Sequence, residues 1–317
     1  MNFYKLQHKF YCGIDLHAKT MYLCVLDQAG KIHLHKNMKS NPQQLQQALE
    51  PVQSNVAVGV ECIFSWYWMA DWCTEREIPF VLGHALYMKA IHGAKTKNDR
   101  IDSEKIAQLM RGGNFPVAYV YPKETRSTRD LCRRRTFLVR RRAEAMAHIR
   151  NTYTQYNLPQ IVGQLVYEKN LDQVLEPFDD LSVRGMLQVD VDLIREHTRL
   201  IKQVETYLTR SAKLSDPSSY YRLLSLPGVG KVLALVLMYE IGNIRRFNKV
   251  GNFLSYARLV RGSHESAGKK YGSHGHKMGN PHLKWAFSEA VTLFLRECPG
   301  AKAWMMKMEK RYGKARA

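Results

Sequence analysis

Two short apolar runs, each closed by a single acid, constrain this chain more than anything else in it. They are Tyr11-Cys12-Gly13-Ile14-Asp15 and Val56-Ala57-Val58-Gly59-Val60-Glu61. An apolar run of that length reads as a buried strand, and a charge at its end is delivered to the tip. A third stretch is Asn98-Asp99-Arg100-Ile101-Asp102. Asn98 is a good helix N-cap, which sets Asp99 and Asp102 at i and i+3 on one helical face, about 4.5 Å apart along the axis. Each acid has an ordinary explanation when taken alone. Asp15 could cap a turn, Glu61 could pair with a surface arginine, and Asp99 and Asp102 could favour a helix N-terminus through the macrodipole. Grouped in a chain short of acid, the four make a candidate site for a divalent cation such as Mg²⁺ or Mn²⁺. Two-metal sites of this kind cut and transfer phosphodiesters.

The charge points the same way. The 48 Lys and Arg outnumber the 28 Asp and Glu, for a formal charge of +20. Such a field favours nucleic acid or an anionic membrane as partner. No apolar run approaches the ~20 residues that a membrane span needs. Residues 1–10 are polar and basic, without the apolar segment of a signal peptide. The expectation is a cytoplasmic, nucleoid-associated protein with no membrane partner. The six cysteines (12, 24, 62, 73, 132 and 298) form no Cys-x-x-Cys pair, and several sit in apolar patterns where thiols are ordinary core residues. His264, His274, His276 and His282 fit no standard zinc spacing.

The length, 317 residues, suggests two domains plus a connector. Residues 1–123 read as α/β, with strands at 11–16, 21–27, 31–36, 55–60 and 79–83. Gln28-Ala29-Gly30-Lys31 is a turn, so the first three strands form an antiparallel meander. Asn41-Pro42 opens a helix, and a second helix covers about 65–77, with Trp66, Trp68, Met69 and Trp72 as its core face. Three strands, a helix and a fourth strand ending in an acid follow the order of the ribonuclease-H-like fold. Residues 124–217 read as a helical, basic, coiled-coil-like connector. In it Leu131, Leu138 and Ala145 recur every seven residues, and 161–213 is expected to return as antiparallel helices. Nine arginines fall between 126 and 150 against only Asp130 and Glu144. Charge runs are usually solvated faces, but this one would repel itself strongly with nothing anionic bound. Arg126, Arg129, Arg133, Arg134, Arg140 and Arg141 are therefore candidates for phosphate contact.

Residues 218–317 read as a mostly helical domain. Leu226-Pro227-Gly228-Val229-Gly230-Lys231 leads into an apolar helix through Glu240. A Pro-Gly-x-Gly turn before a helix offers backbone N–H groups to phosphate, as in a helix-hairpin-helix motif, and Gly228, Gly230 and Lys231 are its candidates. An ordinary tight turn is the alternative. A long polar loop follows at 261–281, then helices at about 281–297 and 300–312.

Taken in order, several stretches are specific where each alone is weak. They are Gly13-Ile14-Asp15-Leu16-His17, Val60-Glu61-Cys62, Lys97-Asn98-Asp99-Arg100-Ile101-Asp102-Ser103, Leu226-Pro227-Gly228-Val229-Gly230, Phe253-Leu254-Ser255-Tyr256-Ala257-Arg258-Leu259 and Gly279-Asn280-Pro281-His282-Leu283-Lys284. With them the chain resembles the DEDD-type insertion-sequence transposases, the bridge-RNA-guided recombinases with a RuvC-like N-terminal domain and a serine-bearing C-terminal domain. The resemblance implies that Asp15, Glu61, Asp99 and Asp102 are the family's acidic tetrad, holding Mg²⁺. It also implies a serine nucleophile, matched by Ser266 in His264-Glu265-Ser266-Ala267-Gly268-Lys269, where Ala267 departs from a plain Ser-Gly. Ser255, Ser263 and Ser273 are rivals. Lys269 and Lys270, with Arg261 and His264, would hold the scissile phosphate. The implied partners are donor and target DNA, a noncoding guide RNA and further copies of the chain, as a dimer or tetramer. Two other classes fit the residues: a metal-dependent junction nuclease that uses only the acids and water, and a non-catalytic nucleic-acid-binding protein.

Overall fold

The computed structural model describes residues 2–91, 98–260, 262, 265–270 and 278–313. It divides into two compact units, Met1–Lys123 and Glu124–Ala317. The first holds β1 (Phe3–Tyr4), β2 (Phe10–Leu16), β3 (Thr20–Asp27), β4 (Ile32–Lys39), α1 (Pro42–Leu49), β5 (Val56–Glu61), α2 (Tyr67–Glu75), β6 (Phe80–Gly83), α3 (Ala85–Ile91), α4 (Asp99–Arg111) and β7 (Phe115–Pro116). Five strands form one sheet in the order β4-β3-β2-β5-β6, with β2, β3 and β4 antiparallel and β5 parallel to both β2 and β6. The meander turns where Gly30 adopts φ +90 and donates its N–H to the Asp27 carbonyl at 3.0 Å. Asn41 caps α1 by accepting from the Gln44 N–H at 2.9 Å. Trp66, Met69 and Trp72 are buried, so the tryptophan face belongs to the core. The pair β1–β7 and helix α3 were not anticipated from the sequence; two-residue strands carry too few side chains to show a period.

What sets the working end of this unit is the contact of α4 with the sheet. Gly13 and Gly59 are direct partners across the β2–β5 pairing. A Cβ on Gly13 would lie 2.2 Å from the Ser103 carbonyl oxygen and 2.3 Å from the Ala107 nitrogen, and one on Gly59 would lie 2.1 Å from the Met110 sulfur. The two glycines make a trough in which the α4 backbone rests directly on the strands. Side chains on a strand alternate faces, so Asp15 and Glu61, two residues on, emerge on the face that carries α4. Ser103 lies over Gly13, so the N-terminal turn of α4 reaches the level of Asp15. The N-cap closes this arrangement, with the Asn98 Oδ1 accepting from the Ile101 N–H at 2.8 Å.

The second unit holds α5 (Lys123–Gln155), α6 (Glu168–Leu171), α7 (Leu181–Ser215), α8 (Pro217–Leu224), α9 (Lys231–Ile241), α10 (Val250–Tyr256), β8 (Glu265–Ser266), β9 (Lys269–Lys270), α11 (Pro281–Glu297) and α12 (Pro299–Tyr312). The long helices α5 and α7 run antiparallel. Arg135 meets Glu205, Arg142 meets Thr198 and His148 meets Asp190, so each step forward on one is a step back on the other. Leu138, Ala145 and Ile149 are buried along this seam. The return is one 35-residue helix rather than several. Pro159, Gly163 and Pro177 keep the preceding segment out of a long helix, leaving turns and the four-residue α6 before Asp180 caps α7. A second core joins Leu208 and Ala212 of α7 to Leu233 and Leu237 of α9 and to Leu283 and Ala286 of α11. Gly228 (φ +80) sits where a Cβ would meet the Ala290 carbonyl oxygen at 2.3 Å, so that glycine is required by close packing on α11.

Candidate active site

The strand tips and the start of α4 bring carboxylates together. The Nε2 of His17 lies 3.5 Å from a carboxylate oxygen of Asp15 and 3.5 Å from one of Asp99. One ligand atom from each of these three residues falls within 4.8 Å of the others, a span that a single cation can bridge. Burial pushes the Asp15 carboxyl above its ordinary range. His17 opposes the rise, and the charges of Asp99, Asp102 and Glu61 each add to it. The other three acids are therefore near enough for their charges to act on Asp15. Asp102 also has Lys105 at 3.8 Å, one turn along the helix. This donor set is mainly hard carboxylate oxygen, which suits Mg²⁺ or Mn²⁺, with one imidazole at the edge. An acid raised by burial and then by its acidic neighbours is what a resident cation would relieve. Sequence reasoning missed His17 as a participant. The signal was present in its place two residues after Asp15, just past the end of β2.

In the second unit, Ser266 ends β8 opposite Lys269 of β9, with Ala267 at φ 49 and Gly268 at φ 74 between them. The 261–281 stretch, expected as an irregular loop, thus contains a two-residue hairpin of the kind that needs positive φ at both corners. Ala267 explains its own place in the sequence less well than glycine would, because a side chain in the left-handed region costs about 1–2 kcal/mol. Lys269 is exposed. Of the rival serines, Ser255 is exposed on α10, while Ser263 and Ser273 lie outside the described residues, as do Arg261, His264, His274 and His276.

The arginine run separates into two groups. Arg126 is buried, at 5% exposure. Arg129 donates to Glu240 at 3.1 Å, and Arg133 donates to both its oxygens at 2.6 and 2.9 Å. Asn280 completes the shell, its Nδ2 donating to Glu240 at 2.7 Å while its Oδ1 caps α11 through His282 and Leu283. Burial alone would raise Glu240, but the bonds and charges of Arg133 and Arg129 and the Asn280 amide outweigh it and hold the acid at about 2. These arginines tie α5 to α9 and α11. Heptad spacing did not reveal this, because the acid that uses them lies more than a hundred residues away. Arg134, Arg140 and Arg141 are exposed, with Arg134 and Arg141 flanking the Phe137 ring at 4.4 and 5.1 Å. Gly230 is the N-cap of α9 and Lys231 its exposed first residue.

A five-stranded mixed sheet carrying acids on β2 and β5 and on the helix α4 packed across them is consistent with a ribonuclease-H-like domain. A family model described as a transposase, of the DEDD type of IS110 elements, matches residues 12–158, and one described as the transposase IS116/IS110/IS902 family matches residues 220–304. The chain is also 23% identical over 312 residues to the transposase for insertion sequence element IS1111A of Coxiella burnetii (strain RSA 493 / Nine Mile phase I), covering 96% of this chain and 84% of the relative. The chain belongs to the IS110-type family of DEDD transposases and is a DNA transposase. Among the described residues, no helix is long and apolar enough to cross a membrane.

Proposed function

We propose that the chain cuts and rejoins DNA strands during transposition of an insertion sequence through a phosphoserine link at Ser266, with Mg²⁺ or Mn²⁺ held by Asp15, Glu61, Asp99 and Asp102. The observation that supports this reading is the approach of Asp15, His17 and Asp99, whose ligand atoms lie within 4.8 Å of one another, with the charges of Asp102 and Glu61 also acting on Asp15. A divalent ion bound there would polarise the scissile phosphate and offset charge as it develops. The chain's own part is to orient that phosphate and present the nucleophile. The Ser266 oxygen forms a bond to phosphorus as the bond to a deoxyribose oxygen breaks; the hydroxyl gives up its proton, and the leaving oxygen takes one up. The diester energy is kept in the serine link, so a DNA hydroxyl can reverse the step and restore the serine without a high-energy cofactor. Lys269, exposed and paired with Ser266 across the hairpin, would supply positive charge near the serine. The acids and the serine belong to separate units, so the reading calls for a dimer or tetramer assembled on DNA. Pairing with a noncoding guide RNA would choose the sites, leaving backbone and shape to the protein.

The test uses a suicide DNA substrate. Ser266→Ala should bind DNA and RNA normally yet form no covalent adduct, and Asp102→Asn should lose strand transfer while retaining binding. A linked residue mapped to Ser255, Ser263 or Ser273 would reassign the nucleophile. Metal-dependent cleavage with no adduct at all would favour the junction-nuclease reading. Full activity in Asp102→Asn would remove the metal site.

A further inference from the structure

The last turns of α7 and the first turn of α9 border a groove of about 610 Å³ that the acids and the arginine run do not account for. Lys202, Arg210 and Lys213 line it from α7 and Lys231 from α9. Among the described residues, none of these four side chains has an acid within ion-pairing distance. The one acid on the wall, Glu205, is taken by Arg135, which donates to it at 2.8 Å from Nε and lies 2.7 Å away through a terminal nitrogen. Among the described residues, the groove therefore holds four cations without an ion-pair partner, and its one acid is already paired with Arg135. Concave walls of one sign focus potential and concentrate the opposite ion. The first turn of α9 adds to this, since Gly230 caps it without a side-chain acceptor and leaves the leading amides open.

We propose that this groove seats a nucleic-acid backbone, gripping successive phosphates without reading bases; the inference rests on the reading of the chain as a DNA- and RNA-handling transposase. The span fits. Lys202 to Lys213 covers about 16 Å of helix at 1.5 Å per residue, and a duplex strand presents a phosphate roughly every 3.4 Å of its axis. Several phosphates then lie within reach of four cations. The remaining lining is threonine and aliphatic, including Thr209, Val232 and Leu235. It has no free amide or carboxylate of the kind that discriminates base edges.

The experiment measures binding of labelled duplex DNA, single-stranded DNA and RNA by anisotropy across a salt series, with EDTA present so that cleavage plays no part. The triple variant Lys202→Gln, Arg210→Gln, Lys213→Gln should weaken binding tenfold or more whatever the sequence. It should also lower the slope of log affinity against log salt by roughly 2–3, at about 0.7–0.9 for each phosphate that is no longer neutralised. The nucleic acid whose binding weakens most identifies the strand type. Lys202→Arg with Lys213→Arg should keep affinity and slope, and an unshifted melting curve for the triple variant separates lost charge from lost fold. Unchanged affinity and slope in a folded triple variant would overturn the groove alone. A weakening confined to one base sequence would overturn backbone recognition. Failure of the unmodified chain to bind any of the three would overturn both the groove and the functional reading.

Discussion

Asp15 and Glu240 are both acids enclosed by protein, and the molecule treats them in opposite ways. Asp15 is raised chiefly by burial and then by the charges of Asp99, Asp102 and Glu61, with His17 opposing them. Glu240 is surrounded by Arg129, Arg133 and Asn280, and its carboxyl is held at about 2. The first cluster gathers like charges, whereas in the second both carboxylate oxygens are met by donors, two of them cationic side chains. A cluster met in this way fixes helices and has nothing left to offer a ligand. One of like charges costs the fold something and can recover it from a cation. The contrast separates a site from a joint where composition alone would have counted both simply as buried charge.

The largest effect should come from breaking the joint. Glu240→Ala would remove the carboxylate that Arg129 and Arg133 share, and removing one partner of a buried ionic group costs about 3–5 kcal/mol. Denaturant unfolding should show that destabilisation in the second unit, with nucleic-acid cleavage lost only through unfolding. A cost below about 1 kcal/mol would mean that water replaces the carboxylate and that the hub is ornamental. The pH dependence sharpens the same point. Folded Glu240 titrates at about 2, against an ordinary 4.5. Between those values the unfolded chain binds more protons, so the stability due to this acid is whole above 4.5 and is lost as pH falls toward 2. Asp15 has the opposite sign: its carboxyl is raised above 3.8, so in metal-free protein its contribution declines as pH rises through its folded value. Glu240→Gln should flatten the acid limb of a stability–pH curve. A curve indistinguishable from that of the unmodified protein would remove Glu240 as its source.

The next effect tests how the cluster of like charges is assembled. Gly13→Ala places a methyl 2.2 Å from the Ser103 carbonyl, a backbone atom that can yield only if α4 moves. Overpacking of this kind costs about 1–3 kcal/mol. Displacing α4 should also weaken Mn²⁺ binding, read by calorimetry, even where the variant remains folded. Unchanged Mn²⁺ affinity in a destabilised variant would show that the acids do not depend on this helix contact. Asp15→Asn should behave differently, leaving metal-free stability unchanged or slightly improved while abolishing Mn²⁺ binding, because it removes one of several repelling charges.

Most of the first unit was legible in the sequence because its signals are local. Apolar runs end in acids, Asn41 and Asn98 cap the helices they precede, and Gly30 turns the meander. The acids could be grouped because each lay at the tip of a recognisable element. The paired glycines went unread, although one stands two residues before each strand acid, since a trough exists only once two strands are side by side. The second unit was less legible for the same reason. The partner of Arg129 and Arg133 is distant in sequence, and an arginine-rich helix looks alike whether it faces phosphate or a buried glutamate. Gly228 reads as a phosphate-loop residue in the sequence, and its contact with the α11 backbone adds a packing requirement that the sequence does not display.

The smallest expected effect concerns the serine hairpin, where the comparison turns from charge to backbone. Ala267 holds φ 49, a conformation that glycine adopts freely and alanine does not, next to the proposed nucleophile. Ala267→Gly removes that penalty of about 1–2 kcal/mol but adds chain entropy to the unfolded state, so the net gain should stay under about 1 kcal/mol. Global unfolding should scarcely register it. Amide hydrogen exchange at 265–270 should slow by a factor of about 5 or less, since local opening reports the hairpin's own stability. Adduct formation should change by about twofold at most if the turn serves only to present Ser266. A drop of tenfold or more, with the hairpin better protected, would mean that the strained alanine is part of how the serine reaches phosphorus. The hairpin would then belong with the Asp15 cluster, as a place where the fold accepts a local cost for its chemistry.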